Sequence, residues 1–180
     1  HLNPRTEVIF VEGHSKDNTW SAIEKEINNY KGRFKVKSIK QKGVGKGDAV
    51  KLGFKTAKNE LLIILDADLS VEPNDLVKFY QAICLGKAEL ANGSRLIYPL
   101  EGQAMRTLNY LGNKIFSLIF TYLIGQRIKD TLCGTKSLLK TNYQQIEKNR
   151  KLFGDFDPFG DFDLLFGASR LNLKITDIPV

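Results

Sequence analysis

The chain has 180 residues, 42% of them hydrophobic, which is enough for one domain with a sizeable core. Its net charge is +7, which suits nucleic acid, phosphorylated substrates and an anionic membrane surface, but no basic run reaches the length of a nucleic-acid tail, so nucleic acid is not the partner expected. Two cysteines, Cys84 and Cys133, and two histidines exclude a disulfide framework and a histidine metal site, and they fit a reducing compartment.

The chain starts at His1 and its one methionine is Met105, so a preceding segment is expected. "TEVIFVE" (6–12) reads as a strand. "SKDNTWSAIEKEINNY" (15–30) reads as a helix with Ser15 or Asp17 near its N-cap and Ile23, Ile27 and Tyr30 on its apolar face. "FKVKSI" (34–39) alternates with period two and predicts a strand with one exposed face. A glycine-rich turn then opens the helix "GDAVKLGFKTAKN". "LLIIL" (61–65) has the composition of a strand buried on both faces, as in a parallel sheet. "EPNDLVKFYQAICLG" is a helix with Pro73 in its first turn, "AELANGSR" (88–95) a short strand, and "LKITDIPV" a strand at the chain end. This order predicts an α/β fold, a mostly parallel sheet flanked by helices.

Between the last two strands, "MRTLNYLGNKIFSLIFTYLIG" (105–125) is one long helical pattern. Leu108, Leu111, Ile115, Leu118, Ile119 and Tyr122 share a face, and Phe116, Phe120, Leu123 and Ile124 make the last turns apolar on the other side too. The apolar run is shorter than the roughly 20 residues that span a bilayer. Two readings follow. The helix packs on the sheet under a neighbour, or its outer face meets a membrane or a second subunit. In the second reading Phe116, Phe120 and Leu123 are covered from outside the sheet core, and Lys114 and Arg127 are placed to meet lipid phosphates.

Chemistry concentrates at strand ends. Asp66 and Asp68 follow the strand 61–65, where open α/β sheets keep their ligands. Two carboxylates at this spacing repel one another unless solvated or bridged, and a hard divalent cation bridges them and holds phosphate oxygens. "QKGVGKGDAV" (41–50) lacks the Walker spacing and its Ser or Thr; it keeps a flexible turn, a helix N-terminus and Lys46, with Asp48 as a candidate cap. Glu12 ends the first strand, where it can accept from a ribose hydroxyl or a base N–H, and Arg95 ends "NGSR", a natural phosphate partner. In a parallel sheet Glu12, Asp66, Asp68 and Arg95 converge on one rim.

The set "VEGHSKDNTW", "GVGKGDAVKLGF", "LDADLSVEPNDL", "NGSR", "KDTLCGTK" and "GDFDLLF" resembles family 2 glycosyltransferases of the GT-A fold, most closely the dolichol-phosphate mannose synthase and polyprenyl-phosphate sugar transferase branch. The resemblance runs over essentially the whole chain. It implies one catalytic domain over 1–180, with a nucleotide-sugar-binding half at 1–95 and an acceptor-side half at 96–180. Asp66 and Asp68 match the Asp-x-Asp pair, which implies Mg2+ or Mn2+ and the diphosphate of a UDP- or GDP-sugar, with Asp68 as the catalytic metal holder. Glu12 matches the acidic position on the nucleoside, Arg95 resembles the phosphate-binding arginine, and Lys46 lies where the turn approaches the donor. Asp161 and Asp163 fall where relatives place acidic or amide residues beside the acceptor. The family's opening "Pro-x-x-Asn-Glu" strand has no match here, so the sheet is expected to lack its first strand.

Two acceptors are open. A lipid phosphate is already anionic at pH 7 and needs no base; a sugar hydroxyl, as in cell-surface polysaccharide synthesis, needs Asp161 or Asp163 as one. The branch resemblance, the long apolar helix and the basic balance favour the lipid phosphate. They imply a cytoplasmic location at a membrane face, with a homo-oligomer as another way to cover the helix. The non-enzyme alternative is a nucleotide-sugar-binding domain. A nucleotidyltransferase would share the sheet and the metal, but it calls for a phosphate-binding signature loop near its start that this chain does not show.

Overall fold

The computed structural model describes residues 5–95, 104–150 and 160–180, with only the backbone of 104–111, 113, 114 and 161. They fall in two compact units, His1–Glu60 with Phe156–Gly160 and Leu61–Asp155 with Asp161–Val180.

In the first unit the alternating apolar strands β1 (Glu7–Glu12) and β2 (Lys35–Lys40) pair in parallel, from Glu7 opposite Lys35 to Glu12 opposite Lys40. Helix α1 (Thr19–Asn29) joins them, and α2 (Lys46–Thr56) follows β2. Helix α1 begins later than the sequence suggests. Glu12 Oε1 accepts the Ser15 N–H at 2.5 Å and Asp17 Oδ1 accepts the Thr19 N–H at 3.0 Å, so neither Ser15 nor Asp17 is the N-cap; that position is Asn18. Both acids hold a turn ahead of the helix instead. Ile23 and Ile27 are half-buried, while Tyr30 is exposed beyond the helix end.

One carboxylate ties this unit together. Glu7 Oε1 accepts the N–H groups of Lys58 at 2.5 Å and Asn59 at 3.1 Å, and Oε2 pairs with Lys37 Nζ at 3.2 Å. Burial raises its pKa, but these N–H groups and the Lys37 ammonium prevail and hold it below the ordinary carboxylate value.

The second unit is built on four strands in the order β3 (Leu61–Ile63), β5 (Lys136–Leu139), β4 (Leu90–Ser94), β6 (Ile175–Pro179). Strands β4 and β6 are parallel, and β5 runs antiparallel to both β3 and β4. Strand β5 was not legible as a strand, and it makes this sheet mixed. Strand β3 therefore pairs antiparallel, and its run is buried mainly on one face: Leu62 and Ile64 are buried, whereas Leu61, Ile63 and Leu65 are half-buried. After a 3-10 turn at Pro73–Asp75, helix α3 (Leu76–Cys84) lays Phe79, Ala82 and Ile83 against Ala91, Cys133 and Ile178 to form a core.

Helices α4 (Ala104–Ile124), α5 (Lys140–Asn149) and α6 (Asp161–Arg170) complete this unit. The inner face of α4 is not the expected one. Ile124 is buried, Phe120 stacks on Phe162 of α6 at 5.0 Å and lies 5.3 Å from Phe166, and Ser117 and Thr121 bond the Ile128 carbonyl. Phe120 is thus covered from within the chain, against expectation. Ile115, Phe116, Leu118, Ile119, Tyr122 and Leu123 are exposed. Among the described residues no helix is long and apolar enough to cross a membrane.

Candidate active site

The β3 ladder ends where the Ile64 N–H donates to the Lys136 carbonyl at 2.8 Å, and the acidic turn follows at once. The Leu69 N–H bonds the Asp66 carbonyl at 3.1 Å, Leu69 takes a left-handed φ of 52°, and the Ser70 N–H bonds Asp68 Oδ1 at 3.0 Å. This closed turn leaves Asp66 half-buried and Asp68 exposed.

Arg95 leaves the end of β4, two strands away. Its Nε donates to Asp130 Oδ2 at 3.0 Å, its Nη2 to Asp130 Oδ1 at 3.4 Å, and its backbone N–H to Oδ2 at 3.2 Å. The hydrogen bond to Asp130, the Asp130 charge and the nearby charge of Asp68 raise the guanidinium pKa against the effect of burial. The second unit thus brings Asp66, Asp68 and Arg95 to the like-directed ends of β3 and β4, which flank β5, and the Asp68 charge acts on Arg95.

Among the described residues no group of three His, Cys, Asp or Glu side chains forms a metal cage. Two carboxylates on one turn suit a different kind of site. Mg2+ keeps several waters and takes one or two carboxylates plus phosphate oxygens. The donor set at 66–68 fits an ion shared with a phosphorylated ligand.

In the first unit Glu12 is buried at the last position of β1. The Ser15 N–H chiefly, then the Ser15 hydroxyl, the His14 N–H and the Lys40 charge, hold its carboxyl below the usual range against the opposing effect of burial. The glycine-rich turn abuts this position: the Gln41 N–H bonds the Glu12 carbonyl at 3.0 Å, and His14 Nε2 lies 3.1 Å from the Gly43 carbonyl. Gly45 precedes α2 with φ 91°, a conformation that requires glycine. Asp48 caps from inside the helix, its Oδ2 accepting the Val44 N–H at 3.0 Å. Lys46 is the first residue of α2 and half-buried. Glu12 and the Lys46 turn therefore share the C-terminal edge of β1 and β2.

Asp163 belongs to the second unit as well. It is buried in the first turns of α6 and forms an ion pair with Arg150, which also pairs with Glu147 of α5. Burial opposes the charge on Arg150, but Asp163 and Glu147 prevail and raise its pKa. Beside them, burial first and then Glu147 push the Tyr143 hydroxyl up. The Asp161 side chain lies outside the described residues, as does that of Lys114.

Sequence reasoning did not assign Asp130, Asn92, Asp177 or Lys136. Asn92 is fully buried and donates Nδ2 to the Asp130 carbonyl at 2.8 Å and to Asp177 Oδ1 at 2.9 Å; Asp177 Oδ2 accepts the Lys129 N–H at 2.8 Å. Lys136, also fully buried, donates Nζ to the Cys133 carbonyl at 2.5 Å. The available signal was "KDTLCGTK", a polar stretch too irregular for a helix or an exposed strand.

The pattern of glycosyl transferase family 2 matches residues 2–147. The chain belongs to this family. The family 2 chain is 28% identical over 183 residues to a dolichyl-phosphate beta-glucosyltransferase of Trichomonas vaginalis, covering 97% of this chain and 52% of the relative. It is 32% identical over 191 residues to a UDP-N-acetylglucosamine–dolichyl-phosphate N-acetylglucosaminyltransferase of Methanococcus voltae, covering 96% and 73%. A dolichol-phosphate mannosyltransferase of Pyrococcus furiosus is 32% identical over 91 residues, covering 51% of this chain and 25% of the relative. The chain spans about half the length of the first curated relatives it matches. Among solved structures, the 4-diphosphocytidyl-2C-methyl-D-erythritol synthase of Anaerococcus prevotii superposes with a TM-score of 0.57 at 15% identity, over 96% of this chain and 69% of that one. At that identity the likeness concerns the fold, an α/β sheet of the kind the sequence predicted.

Proposed function

We propose that this family 2 glycosyltransferase moves a sugar from a nucleotide-sugar donor to a polyprenyl phosphate. The observation that carries the reading is the placement of the Asp66–Asp68 turn and Arg95 at the like-directed ends of β3 and β4, on either side of β5, in a chain whose relatives are named for dolichyl-phosphate acceptors. In this reading residues 1–95 serve the donor and 96–180 the acceptor. Glu12 and Lys46 approach the nucleoside and its phosphates, and Arg95 neutralises the diphosphate. Asp66 and Asp68 would hold Mg2+ or Mn2+, which when bound supplies further positive charge to the leaving diphosphate.

The chemistry is a substitution at the anomeric carbon. A phosphate oxygen of the lipid forms the new C–O bond, the bond to the diphosphate breaks, and a nucleoside diphosphate leaves. A phosphate monoester has a second pKa near 6, so its oxygen needs no base. A sugar hydroxyl would need Asp161 or Asp163 as a base, and of these Asp163 is buried against Arg150 and is poorly placed to take a proton. The exposed apolar face of α4, with Arg127 exposed just beyond it, supports contact with an anionic bilayer surface where such a lipid resides.

The test is a transfer assay with UDP-glucose, UDP-N-acetylglucosamine and GDP-mannose against a short polyprenyl phosphate and a sugar acceptor. Metal-dependent product on the lipid phosphate is expected. Transfer to the sugar hydroxyl alone, lost in Asp161→Asn or Asp163→Asn, would favour the other acceptor. Co-sedimentation with anionic vesicles, weakened by Phe116→Ser/Leu123→Ser, is the expected companion result; wild type left in the supernatant would remove the membrane surface from the account.

A further inference from the structure

The Arg95–Asp130 pair is asymmetric. The Asp130 side chain is fully buried, while that of Arg95 is 41% exposed. A carboxylate taken out of water is costly unless its oxygens are bonded. Here Oδ2 takes the Arg95 N–H and Nε, and Oδ1 takes the Leu132 N–H and Arg95 Nη2. The backbone beneath is fixed as well. Asn92 of β4 holds the Asp130 carbonyl, and Asp177 of β6 holds both Asn92 and the Lys129 N–H. Strands β4 and β6 thus set where Asp130 stands, and Asp130 sets where the guanidinium points.

That geometry uses one edge of the fork. A guanidinium offers five N–H groups in a plane. Asp130 occupies Nε and one proton of Nη2, which leaves the end edge of Nη1 and Nη2 for a planar pair of oxygens. Among the described residues no hydrogen bond to Nη1 is formed.

We propose that Asp130 is a positioning residue. It locks Arg95 by the Nε/Nη2 edge so that the Nη1/Nη2 edge is presented, beside Asp68, to a phosphate of the donor. This rests on the donor-site reading above and adds a residue to it. Asp130 touches no substrate and acts through Arg95.

The experiment is calorimetric titration of UDP with Mn2+ into the full chain as wild type, Asp130→Asn, Arg95→Ala, the double variant and Arg95→Lys, with melting curves for each. Arg95→Ala and Asp130→Asn are each expected to weaken UDP about tenfold, the scale of one charge-assisted hydrogen bond. In the Arg95→Ala background Asp130→Asn is expected to add less than about twofold, the non-additivity of coupled residues. Arg95→Lys, which cannot fork between Asp130 and an anion, should resemble Arg95→Ala even if Asp130→Asn fails to fold. The proposal is overturned if Asp130→Asn weakens UDP equally with and without Arg95, since it would then act through the fold. It is overturned equally if Arg95→Lys binds as wild type. Failure of the wild type to bind UDP or GDP at all is a different result: it removes the donor-site reading, and the positioning role with it.

Discussion

The two units of this chain are stabilised by different means. Among the described residues of the first, Phe54 is the one large apolar side chain that is buried, and α1 buries none. Its order comes from a two-strand parallel ladder and from carboxylates that collect N–H groups: Glu7, Glu12, Asp17 and Asp48. The second unit has Phe79, Leu90, Ile128, Leu138, Ile146 and Leu165 wholly buried, and it carries polar residues inside that core. The comparison teaches where a rigid anion site can be built. Asp130 can be buried and still have both carboxylate oxygens bonded because the packed sheet fixes the backbone around it.

The sharpest way to break this contrast is to remove core from the second unit. Phe79→Ala is expected to cost about 3–5 kcal/mol, read from denaturant midpoints, whereas Ile23→Ala on the half-buried face of α1 should cost about 1 kcal/mol or less. Similar losses would mean the first unit depends on apolar burial too. Asp163→Asn comes next. It weakens a buried ion pair and is expected to cost about 1–3 kcal/mol while leaving transfer to a lipid phosphate intact; a fall of about 10²–10⁴ in turnover would instead mark a general base.

Glu7→Gln tests the first unit, with an expected loss of about 1–2 kcal/mol at neutral pH. Its sign with pH follows from the lowered carboxyl. Folding favours the ionised form, so the contribution is present above the unfolded value of about 4.3 and is lost as pH falls through the native one. Wild-type and Glu7→Gln stabilities should converge in acid; a constant gap would show that charge is not what Glu7 supplies. Smallest of all, Phe116→Ser and Leu123→Ser on the exposed face of α4 should change stability by less than about 0.5 kcal/mol, measured by thermal melting. A larger loss would place those side chains in a packed interface.

What the sequence disclosed tracks how local each signal is. Strands β1, β2, β4 and β6 and helices α2 to α4 follow from patterns a few residues long, and so do the acidic turn and Arg95 at the ends of β3 and β4. Strand β5 escaped because Lys136 and Ser137 look like solvent residues and are buried by neighbours distant in sequence. Helix α5, "KTNYQQIEKN", hides its core contacts in Tyr143 and Ile146 alone. The facing of α4 is hard to read because apolar residues run round its last turns, while the polar Ser117 and Thr121 bond the Ile128 carbonyl. Asp130 meets Arg95 across 35 residues, and no local period announces such a pair.

The central claim is that the turn carrying Asp66 and Asp68 binds a donor diphosphate together with a divalent cation. Calorimetry of UDP-glucose, UDP-N-acetylglucosamine and GDP-mannose, with Mn2+ and with chelator, tests it on wild type and Asp68→Ala, with melting curves as the control for folding. The account predicts that at least one donor binds with Mn2+, that chelation abolishes the binding, and that Asp68→Ala loses the metal dependence while melting as wild type does. Equal donor binding with chelator present, or unchanged metal-dependent binding by Asp68→Ala, would contradict it.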